Sequence, residues 1–199
     1  SLTETSFLQS KLFNTSLIGA SLTGLILTEC ELTGANFNDM TLTNIDFSGT
    51  DLTSCQFINC QITDVDFTLA DLSHAAFESS NITDTNFSEA MLSHVNFTAA
   101  QITGCDFTEA NIDATNLTAT LIAESDWEEA DFHSVQLNKT CFHTCNLAKC
   151  EFSTLNMSHC SFDDSDLSGA NLTASVLDYC HLTHVCFAEA DFSGASLQQ

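Results

Sequence analysis

The sequence predicts an all-β solenoid, which is a stack of short flat units. Two repeating positions and the lack of proline support this prediction. A large apolar residue stands at every fifth position from Leu2 to Leu197, with no polar exception and no slip of frame. A helix repeats near 3.6 residues and a strand at 2, so a period of five belongs to neither. A mostly small residue stands two places before each of these apolar centres. Proline is absent, which suits a backbone whose N–H groups pair in ladders.

Each unit of five residues predicts a flat face followed by a turn. The seven glycines all stand two places after a centre, where their tolerance of positive φ marks a corner. One unit is too small to bury its own apolar centre, so the units must gain stability by stacking. Large residues occupy some of the small positions and should require local adjustment: Leu25, Met40, Ile45 and Leu155.

Units such as "ADLSH" and "TNFSE" resemble the A(D/N)LXX motif of pentapeptide-repeat proteins, and the resemblance covers essentially the whole chain. It implies a right-handed quadrilateral β-helix, in which four units close a coil of about 20 residues and the chain forms about ten coils. Centres and small residues would point inward, and coils would stack at roughly the 4.8 Å spacing of strands. Residues 1–199 then form a single domain. Ser1, where a complete protein has Met, is consistent with excision from a longer protein.

The charge balance restricts the class of partner. The chain has 27 acidic residues against three lysines and no arginine, a formal net charge of −24. Nucleic acids and anionic membranes attract basic proteins, so we expect no direct binding to either and predict a basic protein surface as partner. No apolar run is long enough to span a membrane, and no signal peptide is visible. This favours the cytoplasm, or delivery as part of a secreted effector.

If a coil holds 20 residues, residues 20 apart stack in columns, and the acids concentrate on one side. Four columns, whose residue numbers leave a remainder of 4, 6, 9 or 11 on division by 20, hold 21 of the 27 acids; we call them the acidic side. The columns with remainder 14, 16, 19 or 1 contain a single acidic residue, Asp39, and we call them the neutral side. The predicted partner-binding residues are Asp46, Asp66, Asp106, Asp126, Asp166, Glu29, Glu89, Glu109, Glu129, Glu189, Asp64, Asp84, Glu124, Asp164, Glu31, Asp51, Asp71, Asp131, Glu151 and Asp191, with Glu4 in the same columns.

Two interpretations of the acidic side stay open at this stage. Stacked carboxylates repel by roughly 1 kcal/mol per pair in water-like surroundings, so folding alone would not select them. A basic groove would exploit them, and the resemblance implies one example, because DNA-mimicking pentapeptide-repeat proteins occupy the DNA site of type II topoisomerases. Alternatively, the acids only improve solubility. The family motif favours Asp or Asn before the centre, which explains the columns with remainder 6 and 11 better than the other two.

The N-terminal end of the solenoid is predicted to be a contact surface. Leu8, Phe13, Ile18 and Ile26 take outward positions in the first coil or so, and neither end has a recognisable cap. Uncapped ends are β edges that invite pairing. A neighbouring domain or a second copy in a homodimer would cover these residues, and local irregularity is the alternative. The same features favour a second function hypothesis, a rigid spacer or adaptor in a larger bacterial effector or secretion-associated protein.

Residues that suggest catalysis or metal binding are interpreted as parts of the wall. In "CFHTCNLAKCEFSTLNMSHC", Cys145, Cys150 and Cys160 fall at inward positions on three different faces, where they cannot converge on zinc. His74 and His94 share a column without a third ligand, so solvated surface is favoured over a metal or pH-sensitive site. No nucleophile with its base and no phosphate-binding loop is recognisable. We therefore expect no enzyme, metal or cofactor, and cysteines that remain reduced.

Overall fold

A computed structural model describes residues 11–17, 22, 27–28 and 30–198, and every regular element in this part of the chain is a β-strand. Parallel pairing joins each strand to the next with a shift of 20 residues, so that Thr41 lies beside Gln61 and Leu121 beside Cys141. The predicted all-β solenoid is confirmed. The six strands form one sheet in chain order: β1 (Thr41–Thr43), β2 (Gln61–Thr63), β3 (Asn81–Thr83), β4 (Gln101–Thr103), β5 (Leu121–Ala123) and β6 (Cys141–His143).

Single bridges carry the same register along the other faces and beyond the sheet. They run from Lys11 beside Glu31 to Val176 beside Ser196, and each joins residues 20 apart. Since a turn follows every five residues, four faces make one circuit, as the resemblance implied. The coil count differs from the prediction. Three-residue strands recur in only six coils, so the regular sheet makes about five turns where about ten were predicted, and single bridges join the other coils.

The turns form where the sequence placed glycine, two residues after a centre. Gly34 and Gly49 have φ of 69° and 62°, and 28 non-glycine residues in the described part of the chain share this conformation, among them Leu69 at 59°. At many centres an Asp or Asn side chain just before the centre stabilises the turn. Asp66 Oδ1 accepts the N–H of the residue two places on at 2.9 Å, and Asn96 Oδ1 does the same at 3.0 Å. Asp and Asn therefore serve the turn equally well.

Aromatic rings form two stacks inside the core. Centroids of successive rings within a stack lie 4.7–5.3 Å apart, and edge-to-face contacts at 5.8–6.5 Å join the two stacks. Beyond Trp127 the phenylalanines continue on the other pair of faces, where Phe132 stacks on Phe152 and Phe142 on Phe162. The two first stacks consist of Phe37, Phe57, Phe77 and Phe97, and of Phe47, Phe67, Phe87 and Phe107.

The structure describes some of the large residues at small positions and one of the outward apolar residues of the N-terminal end. Met40 and Ile45 are buried at small positions, whereas Leu155 stays half-buried. Phe13 is 49% exposed, with the Lys11 ammonium 5.7 Å from its ring centroid, so an outward position is confirmed for this residue while its role in a contact stays a prediction. Leu25, Leu8, Ile18 and Ile26 lie outside the described residues. Within the described part of the chain, no helix has the length and apolarity needed to cross a membrane.

Candidate functional site

The columns of the acidic side differ in how far their carboxylates reach into solvent. Those with remainder 4 and 9 stand at the positive-φ turn residues and are exposed: Asp64, Asp84, Glu124, Asp164, Glu89, Glu109, Glu129 and Glu189. Those with remainder 6 and 11 stand before the centres, and Asp131 and Asp191 are exposed there. The rest are half-buried: Asp46, Asp66, Asp106, Asp126, Asp166, Glu31, Asp51, Asp71 and Glu151. Glu29 and Glu4 lie outside the described residues.

Backbone pairing places acids of the same column side by side. Asp46 lies beside Asp66, and Asp51 lies between Glu31 and Asp71. Neighbouring positions in a column are therefore about one strand spacing apart, roughly 4.8 Å. The stacking that the sequence predicted is present, and partner binding by these residues stays a prediction.

Turn hydrogen bonds lower the pKa of some half-buried carboxylates, among them Asp166 and Asp51. The N–H and hydroxyl of Ser168 donate to Asp166 and lower the pKa of that carboxyl. Partial burial raises the pKa of Asp51, but donors on Thr53 and Thr33 outweigh burial, and the net shift is downward. Because asparagine forms the same turn at equivalent positions, the turn requires the oxygen and not the charge.

Two lysines bind acids across neighbouring coils. Lys11 Nζ lies 2.9 Å from both carboxylate oxygens of Glu31. Lys149 Nζ lies 2.8 Å from Glu128 and 2.9 Å from Glu129, and its hydrogen bond lowers the pKa of Glu128. All of these groups are well exposed, so the ion pairs contribute little to stability.

The backbone ladder is interrupted on the acidic side, between residues 108–113 and residues 128–133 of the following coil. At the equivalent place one coil earlier, the N–H of Glu89 donates to the Thr108 carbonyl at 3.0 Å. The matching bond from Glu109 to Glu128 is absent. A cleft of about 540 Å³ opens between the two coils. We call it the acidic-side cleft; it is lined by Thr108, Glu109, Ala110, Glu128, Glu129, Ala130 and Asp131.

A second interruption of the backbone ladder lies on the neutral side, between residues 134–139 and residues 153–158 of the following coil. The N–H groups of Ser134, Leu137 and Lys139 have no backbone acceptor in the following coil. Among backbone bonds that join coils, residues 128–133 therefore bond only to the following coil and residues 134–139 only to the preceding one. Ser134 stands at the crossing and, unlike the other described residues two places after a centre, lacks positive φ.

The histidines and cysteines lie where the sequence placed them. The His74 and His94 rings stack at 4.9 Å, and Asp164 contacts His184 at 3.1 Å. A second contact, His143 with Asp164 at 3.6 Å, was not foreseen, because it joins neighbouring columns. Among the described residues, no group of three or more His, Cys, Asp or Glu side chains is placed to hold a metal.

The inward cysteines act as small hydrogen-bond donors, and all of them are buried except Cys180, which is half-buried. Cys160 and Cys180 remain separate thiols, as predicted, and donate to the carbonyls of Leu137 at 2.6 Å and Met157 at 3.0 Å. Cys145 and Cys150 are likewise buried thiols, whereas Cys141 is only half-buried.

Sequence comparison identifies the type of repeat. The family described as "Pentapeptide repeat region" matches residues 50–127, and "Pentapeptide repeats (8 copies)" matches residues 30–68, 110–148 and 156–194. The chain belongs to the pentapeptide-repeat family. A search of curated proteins finds none that matches this pentapeptide-repeat protein.

Solved structures of other pentapeptide-repeat proteins share the fold. The chain is similar to full-length QnrB1, a plasmid-mediated fluoroquinolone resistance protein, at 20% identity and a TM-score of 0.52, over 98% of this chain and 94% of that chain. It is also similar to HetL from the cyanobacterium Nostoc sp. strain PCC 7120, a protein involved in heterocyst differentiation regulation, at 19% identity and a TM-score of 0.44, over 98% and 88%. At such identities the likeness to QnrB1 establishes the fold alone.

Proposed function

We propose that this protein is a non-catalytic protein-interaction module whose acidic side docks onto a basic groove of a partner protein. The sorting of charge is the observation that supports this most, since four of twenty columns carry 21 of the 27 acids. The exposed acids in the columns with remainder 4 and 9 stand at turn residues, where the turn itself needs no carboxylate. Solubility alone would be served as well by acids spread over all faces.

The specific groove that we propose is the DNA site of a type II topoisomerase. Duplex DNA carries roughly one charge per 1.7 Å of its axis. Four columns with one position every ~4.8 Å, about half of them acidic, give roughly one charge per 2.3 Å. The backbone ladder fixes this spacing before binding, so little order has to be gained when a partner docks.

A supercoiling assay with DNA gyrase at low salt, together with a gel-shift competition against duplex DNA, tests the specific form. We expect inhibition and competition at micromolar protein, weakening as salt increases, because screened charges attract less. If neither effect occurs at micromolar protein, the topoisomerase proposal is wrong. A pull-down from source lysate at two salt concentrations tests the general form, which requires a basic protein released at high salt.

Two triple variants of equal charge separate the acidic side from net charge. One carries Asp64→Asn, Asp84→Asn and Glu124→Gln, and the other carries Asp39→Asn, Glu78→Gln and Asp178→Asn outside the acidic side. Both change the formal charge from −24 to −21. Only the first should weaken competition clearly, and equal losses would show that net charge alone is responsible.

A second candidate function is a rigid spacer or adaptor within a larger bacterial effector or secretion-associated protein. The last described coil favours it, because Leu182, Phe187 and Phe192 are only half-buried while the described centres from Leu22 to Leu177 are buried. The gene sequence on both sides tests this. A start codon just before Ser1 together with a stop codon after Gln199 would exclude it.

A further inference from the structure

The acidic-side cleft exposes main-chain groups that the rest of the solenoid uses for stacking. On the edge formed by residues 108–113, the lower edge, the N–H groups of Glu109 and Ile112 and the carbonyl of Ala110 have no partner among the described residues. On the edge formed by residues 128–133, the upper edge, the carbonyls of Glu128 and Asp131 and the N–H of Asp131 also have no partner among the described residues. Unpaired main-chain donors and acceptors on a β edge are a template for another extended chain.

The two edges of the cleft are held apart by different parts of the molecule. The lower edge bonds to the preceding coil, for example through Leu92 N–H to the Asn111 carbonyl at 2.7 Å. The upper edge bonds to the following coil through Phe132 N–H to the Glu151 carbonyl at 2.9 Å, and Lys149 binds Glu128 and Glu129 from the same coil. Each edge is thus held in place by hydrogen bonds to the coil on its far side.

We attribute the separation of the edges to Trp127, the centre directly before residues 128–133. It is the largest centre, and its ring lies 3.8 Å from that of Phe107, closer than the successive phenylalanines of the stacks. It also contacts Phe132 at a tilt of 44°, and its buried Nε1 finds no acceptor. Trp127 directly precedes residues 128–133, and Phe132 lies within them. The extra volume of the indole is therefore placed where the backbone ladder opens.

The charge around the cleft selects the partner. Carboxylates stand on both edges, with Glu109 below and Glu128, Glu129 and Asp131 above, and Lys149, which binds the two upper glutamates, offsets one of these four charges. The cleft volume of about 540 Å³ lies within the roughly 300–1,000 Å³ of ordinary ligand clefts. The second interruption has unpaired N–H groups too, but it lies on the neutral side and lacks this charge.

We infer that the acidic-side cleft binds an extended basic segment of the partner protein, whose main chain pairs with the free groups of Glu109, Ile112 and Asp131 and whose basic side chains face the surrounding carboxylates. The inference rests on the proposed function and adds a main-chain component to it. General electrostatic docking needs charge on the partner, whereas docking in the cleft also needs free N–H groups on the partner.

The test uses the full chain and a capped synthetic peptide of alternating arginine and valine. A second peptide of the same sequence carries methyl groups on alternate backbone nitrogens, which removes donors and keeps every charge. We expect fluorescence anisotropy to show about tenfold weaker binding of the methylated peptide, the loss that one main-chain hydrogen bond explains. Amide exchange should show new protection at Glu109, Ile112 and Asp131 when the unmodified peptide binds.

Two variants identify the contribution of the cleft. Trp127→Phe removes the bulk that separates the edges without changing any charge, and Phe67→Leu is a matched substitution in the same core column far from the cleft. Only Trp127→Phe should lower the affinity for the unmodified peptide. Equal binding of both peptides, or protection elsewhere than on the two edges, would overturn the inference even if the Trp127 variant failed to fold. If binding is salt-sensitive yet indifferent to methylation, the acidic side still functions and only the cleft proposal fails.

Discussion

At the scale of single residues, the unusual feature is how many side chains adopt a left-handed backbone conformation. Glycine adopts positive φ without penalty, whereas residues with a Cβ pay a steric cost. The sequence located the corner through its glycines, but it could not show that 28 other residues, counted where the structure describes the chain, share this conformation. The turn hydrogen bond from the residue before the centre, together with coil stacking, maintains it. Asparagine and aspartate tolerate it best among the alternatives to glycine.

Leu69 tests this cost. It has φ of 59° and is 60% exposed, so Leu69→Asn should raise the free energy of unfolding by about 0.5–1 kcal/mol. Leu121→Asn is the matched control, since Leu121 is 54% exposed but lies in β5 with ordinary φ. Denaturant titration should show a gain only for the first, and a similar change in both would mean that exposed leucine, not φ, is responsible.

The buried thiols predict a loss of stability at alkaline pH. Burial raises the pKa of Cys55 and Cys105 from 9.0 to about 12. Above pH 9 the unfolded chain releases these protons while the folded protein keeps them, so stability is complete below about pH 9 and falls as pH rises toward 12. The slope should reach about 1.4 kcal/mol per pH unit for each thiol. Thermal unfolding across this range measures it, and Cys55→Ala should make the decline shallower.

At the scale of elements, the stacked aromatic columns account for the strength of the middle of the solenoid. Sequence periodicity assigned every centre to the interior, and the structure confirms this for the described centres from Leu22 to Leu177, whereas centres nearer the two ends are half-buried and Leu197 is 49% exposed. The five-residue pattern alone treats all centres as equivalent, and only the 20-residue columns show that the phenylalanines change faces after Trp127. Leu155 gave a partial signal: this large residue at a small position lies beside the interruption on the neutral side. No feature of the sequence indicated the acidic-side cleft, because Trp127 is a large apolar residue and therefore fits the pattern of the centres.

Phe87 and Phe187 occupy the same column and allow a direct comparison. Phe87 is fully buried and stacks at 5.0 Å on Phe67 and 4.8 Å on Phe107, whereas Phe187 is only half-buried in the last described coil. Phe87→Ala should lower the free energy of unfolding by about 3–5 kcal/mol. Phe187→Ala should cost clearly less. Equal losses in chemical denaturation would mean that the stacks add nothing beyond the burial of single rings.

At the scale of the whole molecule, repulsion within the acidic side opposes folding. Column neighbours such as Asp46 and Asp66 lie side by side, and only three lysines are present to offset 27 acids. We therefore expect the melting temperature to rise as sodium chloride increases to about 0.5 M, where the screening length is only a few ångströms. Calorimetry at several salt concentrations measures this. A melting temperature that is flat or falls with salt would show that the carboxylates do not repel appreciably.

The shift of 20 residues between paired positions also makes the surface depend on phase. Removing one complete circuit, such as residues 81–100, would shorten the molecule and return every later residue to its former azimuth. Removing only ten would preserve the five-residue rhythm of the core but rotate all later residues by half a turn. The acids that follow would then emerge on the opposite wall, and the same composition would present two half-length charged strips facing away from each other.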